Sequence, residues 1–274
     1  MPQLAIDVAR LSLVIEIGGM PVRVNTTDQA FLAMLQDRYA GFLAPLEGEE
    51  QAEIEFDVDL GPSHFADPNA VVSVAQHQGR WKLERGDFRA EWEPASRTGW
   101  IRQTANPYSI DAVLRIVHTL VLARQGGFLA HSASAIRNGK AFLFAGVSEA
   151  GKTTISRMAP PDATLLTDEI SYVRKEDGGY IAYGTPFTGE LAKLGENVSA
   201  PIAALYLLAK GTENRIDPLP QAEAARSLLA NLLFFAQDEE LVQAMFHSAF
   251  EFVSRVPVAR LTFVPDARVW ELIG

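Results

Sequence analysis

"FLFAGVSEAGKTT", residues 142–154, sets an apolar run against a glycine-bearing loop that ends in a lysine and two threonines. Small, flexible residues and a cation directly after a hydrophobic strand suit a ligand rich in negative oxygen. Gly146, Gly151, Lys152 and Thr153 complete the pattern G-x-x-x-x-G-K-[ST]. At average composition, a chance match in a chain of this length arises on the order of once in a hundred. The context adds weight, because a strand precedes the match and a helix-compatible segment follows it. The glycines let backbone N–H groups curl around phosphate oxygens, and the helix N-terminus adds partial positive charge. Lys152 would reach the β- and γ-phosphates, and Thr153 would offer its hydroxyl to Mg2+. Gly146, Val147, Ser148, Glu149, Ala150, Gly151, Lys152, Thr153 and Thr154 are therefore the expected ATP-binding residues. Glu149 has to turn its carboxylate outward, or it would repel the nucleotide. The plain alternative is an ordinary turn between strand and helix.

Bulk composition narrows the function further. The chain has 274 residues, enough for one large or two ordinary domains, and is 48% hydrophobic and 21% charged, which is globular. A formal net charge of −10 repels phosphate backbones, so no nucleic-acid partner is expected. The absence of cysteine excludes disulfides, thiolate metal sites and a cysteine nucleophile. Asp7 and Arg10 interrupt the apolar residues at the start, so no signal peptide is expected there. No apolar stretch approaches the ~20 residues that span a bilayer, and the expected compartment is the cytoplasm.

Periodicity divides the chain. A hairpin around Gly18-Gly19, a helix capped by Thr27 or Asp28, and alternating strands near residues 52–60, 71–75 and 81–94 make residues 1–100 a small, largely antiparallel α+β unit. The boundary is expected in the turn region of residues 95–107. Pro107 then opens a helix that Gly126-Gly127 closes. Two strands joined at Asn138-Gly139, the strongest short hairpin signal, lead into the glycine loop. A short helix stopped by Pro160-Pro161 follows, then the strand "ATLLTDEISYV" with acids at its end. Further strands at "YIAY" and "PIAALYLLAK" and two helices over residues 222–237 and 238–256 lead to a last strand and a short helix. Residues 101–274 thus read as a nucleotide-binding α/β domain, and the whole chain as α+β.

The segment "FLAHSASAIRNGKAFLFAGVSEAGKTT" with the later "LLTDEISYV" resembles the C-terminal kinase domain of HPr kinase/phosphorylase, which shares its fold with phosphoenolpyruvate carboxykinases. His131, the loop and the acidic pair Asp168-Glu169 carry the resemblance, over residues 127–173. It implies a P-loop kinase fold with a mixed sheet. It implies that His131 lies beside the active site and that Asp168 serves as base or metal-associated carboxylate. Self-association is compatible with it. The family's acidic pair is usually Asp-Asp, and its later glycine-rich signature is replaced by "YGTPFTGE". A substrate other than HPr is therefore implied, such as a peptide in bacterial peptide modification.

Read from the residues alone, Asp168 stands at the end of a strand, where α/β sheets present ligands, and could hold Mg2+ or accept a hydroxyl proton. Glu169, Glu190 and His131 are the other candidates for the catalytic set, and Thr153 with Asp168 for the metal. Each has a bland reading: turn caps for Asp168 and Glu169, a loop carboxylate for Glu190, a core histidine for His131. Ser132 and Ser134 read as strand residues, His118 as structural, and Lys210 and Arg215 as weak phosphate contacts. The expected function is an ATP- and Mg2+-dependent kinase that phosphorylates a hydroxyl, a serine above all, of a peptide or small protein. The alternatives are a nucleotide-binding scaffold or regulatory module without transfer, and a small-molecule kinase.

Overall fold

The computed structural model describes residues 10–45, 52–61, 70–147, 149–189, 191 and 195–274. The chain divides into two compact units, one running through Glu16 and resuming at Met20–Leu114, the other comprising Ile17–Gly19 and Arg115–Gly274.

In the first unit β1 (Leu11–Ile17) and β2 (Met20–Thr26) form the expected hairpin, and α1 (Gln29–Arg38) follows, its first turn capped by Asp28. The strands β3 (Leu43–Ala44), β4 (Ile54–Leu60), β5 (Ser73–His77), β6 (Arg80–Arg85), β7 (Phe88–Glu93) and β8 (Thr98–Gln103) complete an eight-stranded sheet in the order β3-β1-β2-β4-β8-β7-β6-β5. The pairs β2–β4 and β4–β8 are parallel. The sheet is therefore mixed, but its other pairings are antiparallel, in keeping with the largely antiparallel unit expected from the hairpin signals. Those signals report strands that follow one another, whereas the partners of β4 lie far off in sequence. β8 occupies the region expected to be a turn. Of its residues only Ile101 offers a buried apolar side chain, between Gly99 and Gln103, so its period-2 signal is too weak to read.

The helix α2 (Pro107–Gln125) starts where proline is favoured. Asn106 caps it by accepting from the amides of Tyr108 (2.9 Å) and Ser109 (3.0 Å). Its first turns hold two buried ionic clusters within the first unit. Asp111 takes Arg38 (2.6 Å) and the Tyr39 hydroxyl, and Asp87 takes Arg85 and Ser109 Oγ (2.7 Å).

The second unit is built on β9 (Phe128–Arg137), β10 (Lys140–Ala145), α3 (Lys152–Arg157), β11 (Thr164–Thr167), β12 (Ile170–Glu176), β13 (Gly179–Tyr183), β14 (Ser199–Lys210), β15 (Arg215–Pro218), α4 (Gln221–Leu229), β16 (Leu232–Leu233), α5 (Glu239–Arg255) and β17 (Val258–Phe263), ending in a 3-10 turn, Ala267–Leu272. Asn138 and Gly139, both at positive φ (51° and 71°), make the tight β9–β10 hairpin. The strand pairings close a ring: β9 with β10, β10 with β14, β14 with β13, β13 with β12, and β12 back to β9. Only β10–β14 is parallel within it, and β17 adds outside on β14, also parallel. Both faces are covered, which is why β10 and β14 read as continuous apolar runs. Ala141, Leu143 and Ala145 pack with Leu205, Leu228 and Phe252 on one side. Phe142 and Phe144 pack with Tyr206, Ile155, Phe263 and Trp270 on the other. Overall the chain is α+β, with two mixed sheets and few helices.

Two expectations are corrected here. The helix read over residues 222–237 stops at Leu229, because Leu232 and Leu233 pair instead with Ala130 and Leu129 of β9. Tertiary pairing overrides local helix propensity at that point. The single strand "ATLLTDEISYV" is two strands, β11 and β12, with Asp168-Glu169 at the break between them. No helix among the described residues is long and apolar enough to cross a membrane.

His118, on α2, is fully buried and its Nδ1 lies 3.0 Å from the Tyr172 hydroxyl. Burial, then the positive charge of Arg174, pushes its pKa down to about 3. Because the folded value lies below the unfolded one, His118 contributes stability that is present above pH ~6.5 and falls as pH drops towards 3. Relative to His118→Gln, wild type should lose stability with a slope that rises from about 0.7 kcal/mol per pH unit at pH 6.5 towards about 1.4 near pH 5. Urea midpoints measured across that window test this, and parallel slopes would refute it.

Candidate functional site

Two strand registers define the site. β9 carries β10 along one edge, where Ala145, the last residue before the glycine loop, pairs with Ser132. Along its other edge β9 carries β12, where Ile170, the first residue after the acidic pair, pairs with His131. The loop root and the acidic pair therefore flank one short stretch of β9, each one strand spacing (~4.8 Å) from it. His131 is exposed on that stretch, and its backbone N–H donates to the Asn231 carbonyl at 2.7 Å.

The glycine loop is held by contacts that dictate its residue types. Ala150 N donates to Val147 O (3.1 Å), closing a turn. A methyl group on Gly146 would come within 2.7 Å of Ala150 Cβ. Gly151 sits at φ 110°, and a methyl there would come within 2.7 Å of the Phe263 ring. Both glycines of the motif are thus required by packing as well as by any ligand. Glu149 adopts φ 63° and is exposed. Lys152 Nζ donates to the carbonyl oxygens of Gly146 (2.9 Å) and Val147 (3.4 Å), so its charge lies across the loop. Thr153 and Thr154 are half-buried on the first turn of α3. Ile155 anchors that helix in the core, and its carbonyl accepts from Trp270 Nε1 at 3.1 Å. Ser148 lies outside the described residues.

The acidic pair is framed by the segment after β13. β11 reaches it through a register irregularity between Leu165 and Thr167, a bulge of the kind that re-aims side chains. Thr167 Oγ1 accepts from the amides of Glu169 and Ile170 (both 3.2 Å) and donates to Phe187 O (3.4 Å). Thr185 N donates to Leu166 O (3.1 Å), and Thr185 Oγ1 to Ile170 O (3.0 Å). Asp168 is 4% exposed, and each of its carboxylate oxygens accepts one loop amide, Gly189 N and Leu191 N, both at 2.9 Å. A carboxylate has about four lone-pair sites, and these two amides use two of them. Glu169 is half-buried, and a methyl on Gly189 would meet its carboxylate at 2.8 Å and that of Asp168 at 2.9 Å. Glu190 lies outside the described residues.

Electrostatics link the elements. The His131 pKa is lowered, first by partial burial, then by the charges of Lys152 and Arg115. The imidazole is therefore biased towards its neutral form beside the loop cation. Sequence reading missed Arg115; the signal on offer was a lone cation within the apolar stretch Val113–Val117 of α2. Its guanidinium lies over the Phe187 ring, 4.8 Å from the centroid. The weaker candidate Arg215 is engaged at the surface with Glu213 and Asp217, both at 2.8 Å. Ser132 and Ser134 are fully buried strand residues. Among the described residues no three His, Asp or Glu side chains cluster as a metal site. A cavity of about 440 Å3 in the first unit, lined by Arg85, Asp87, Phe88, Arg102 and Gln103, includes none of the residues singled out from the motif.

Comparison with known proteins corrects the expected kinship. Residues 102–274, more than half of the chain, match the family model described as "SynChlorMet cassette protein ScmC". The matching family is that one and not HPr kinase/phosphorylase. The resemblance rested on a histidine, a glycine loop and an acidic pair over residues 127–173. A phosphate-cradling loop between strand and helix recurs wherever backbone amides face an anion, so it does not specify a family. No curated protein matches the chain.

Proposed function

The chain belongs to the ScmC family, and from that premise and the geometry around β9 we propose that it is an ATP-dependent phosphotransferase acting on a hydroxyl of a peptide or small protein. The observation that carries the reading is the pair of registers on β9, with Ala145 opposite Ser132 and Ile170 opposite His131. They bring the loop root and the acidic pair to one end of the unit. Lys152 neutralises triphosphate charge, and the amides of the loop surround phosphate oxygens. Thr153 and Asp168 would hold Mg2+, the hydroxyl and the carboxylate each offering an oxygen suited to that ion. When bound, the ion neutralises charge that develops between the β- and γ-phosphates. Asp168 accepts the proton of the acceptor hydroxyl as its oxygen bonds to the γ-phosphorus and the bond to the β-phosphate oxygen breaks, releasing ADP. His131, biased neutral, sits between loop and acids and hydrogen-bonds the transferring group. The fold of the second unit is accordingly read as that of a P-loop kinase.

One observation favours a second reading. Both oxygens of Asp168 already hold loop amides, as they would if the residue only shaped its loop. The chain would then bind nucleotide without transfer, as a regulatory or scaffold module. The family's description as a cassette protein directs the choice of acceptors to peptides encoded beside it. With γ-labelled ATP, Mg2+ and those peptides, wild type should transfer label, and Asp168→Asn should slow transfer about 10²- to 10⁴-fold while still binding ATP. Binding by wild type with no transfer to any peptide would refute the kinase reading in favour of the module.

A further inference from the structure

We propose that Arg115 is a phosphate-binding residue of this site, its guanidinium, stacked over Phe187 beside the acidic pair, contacting the terminal phosphoryl group of a bound nucleoside triphosphate. The inference rests on the nucleotide reading above and adds a residue to it that lies outside the motif.

Three lines converge on this placement. The first is the fixed position of the side chain. Phe187 is 1% exposed, and its carbonyl accepts from Thr167 Oγ1, the residue before Asp168. Two residues on, Gly189 donates its amide to Asp168. An arginine held 4.8 Å from that ring is therefore tied to the segment that frames the acids. The second is charge. Lys152 from α3 and Arg115 from α2 both act on His131, so two cations from separate elements bear on one imidazole. The acids Asp168 and Glu169 stand on the opposite edge of β9, past Ile170. Two cations and a pair of carboxylates set about one stretch of β9 suit a phosphoryl group met by a metal-bearing acid and a hydroxyl. The third is chemistry. A guanidinium offers a planar fork of donors that matches phosphate oxygens, and it remains able to stack on an aromatic face while doing so. Lys152 is engaged with the loop carbonyls of Gly146 and Val147, and Arg115 supplies a second cation from a separate element.

The test compares ATP with ADP in the presence of Mg2+. Calorimetric titration of Arg115→Gln should show ATP affinity lowered about ten- to a hundredfold, with ADP affinity within about twofold of wild type. ADP binding is the internal control for folding. Arg115→Lys, which keeps the charge without the fork, should recover part of the ATP affinity and none of the ADP value should move. Proton NMR of His131 checks the placement of the Arg115 charge independently of any nucleotide. Its pKa should rise in Arg115→Gln, because a positive neighbour is gone. If wild type binds neither nucleotide, this inference and the nucleotide reading fall together. If wild type binds both and the ATP-to-ADP ratio is unchanged in Arg115→Gln or Arg115→Lys, this inference alone is overturned.

Discussion

Replacing Gly195 by alanine is expected to lower the melting temperature by on the order of 10 °C and to abolish any activity that depends on Asp168. A methyl group at this position would overlap the carbonyl of Leu166 and come within 3.0 Å of the Thr185 carbonyl oxygen. Both are backbone atoms, so no side chain can swing aside to make room. Leu166 is fully buried, lies in β11, and stands two residues before Asp168. Relief requires the segment after β13 to lift away from β11, which breaks the bonds from Thr185 N to Leu166 O and from Glu196 N to Leu165 O. Overpacking against a fixed wall costs about 1–3 kcal/mol and more where the backbone must move, and each lost backbone bond adds about 1 kcal/mol. Gly184, whose methyl would overlap the Glu196 carbonyl, should behave alike. A thermal melt reads the result directly. A Gly195→Ala protein melting within 2 °C of wild type would show that this segment does not press on β11.

That crowding explains what was legible beforehand. The segment "YGTPFTG" frames the acids, Gly189 donating its amide to Asp168. What local pattern cannot announce is the partner: Gly184 and Gly195 are forced by backbone atoms that lie far away in sequence. The same division runs through the fold. Asn138-Gly139, Pro107, Asp28 and the apolar run before Gly146 act on their immediate neighbours, and the hairpin, the caps and the strand–loop–helix follow from them. β8, the early end of α4 and the split between β11 and β12 are decided by pairing with distant strands, and those were missed. The candidate site divides likewise. The loop residues could be named from spacing alone. That β9 lies between the loop root and the acids is a matter of register, and Arg115 belongs to a helix whose pattern signalled only a core face. Family kinship was the least legible part, since its expected signature was borrowed from a motif that phosphate binding imposes on unrelated chains.

Lys152→Ala should weaken binding of Mg-ATP by a hundredfold or more while changing the stability of the free protein by no more than about 1 kcal/mol. The two halves of the prediction have different physical origins. In the free protein the ammonium donates to two carbonyl oxygens, Gly146 O at 2.9 Å and Val147 O at 3.4 Å. Val147 is 79% exposed, so water replaces the lost donor at its carbonyl with little penalty. The core that positions the loop is untouched, because Ile155 and Phe263 lie beneath it and Trp270 Nε1 holds the Ile155 carbonyl. Against a triphosphate the same ammonium meets charged oxygens inside a half-enclosed loop, where each charge-assisted bond is worth about 1.5–3 kcal/mol, and two of them account for the hundredfold loss. A structural lysine would show the reverse pattern, a large drop in melting temperature and unchanged titration curves. Calorimetry and a melt on the same preparation separate the two, and an ATP affinity within threefold of wild type would remove the loop from the function altogether.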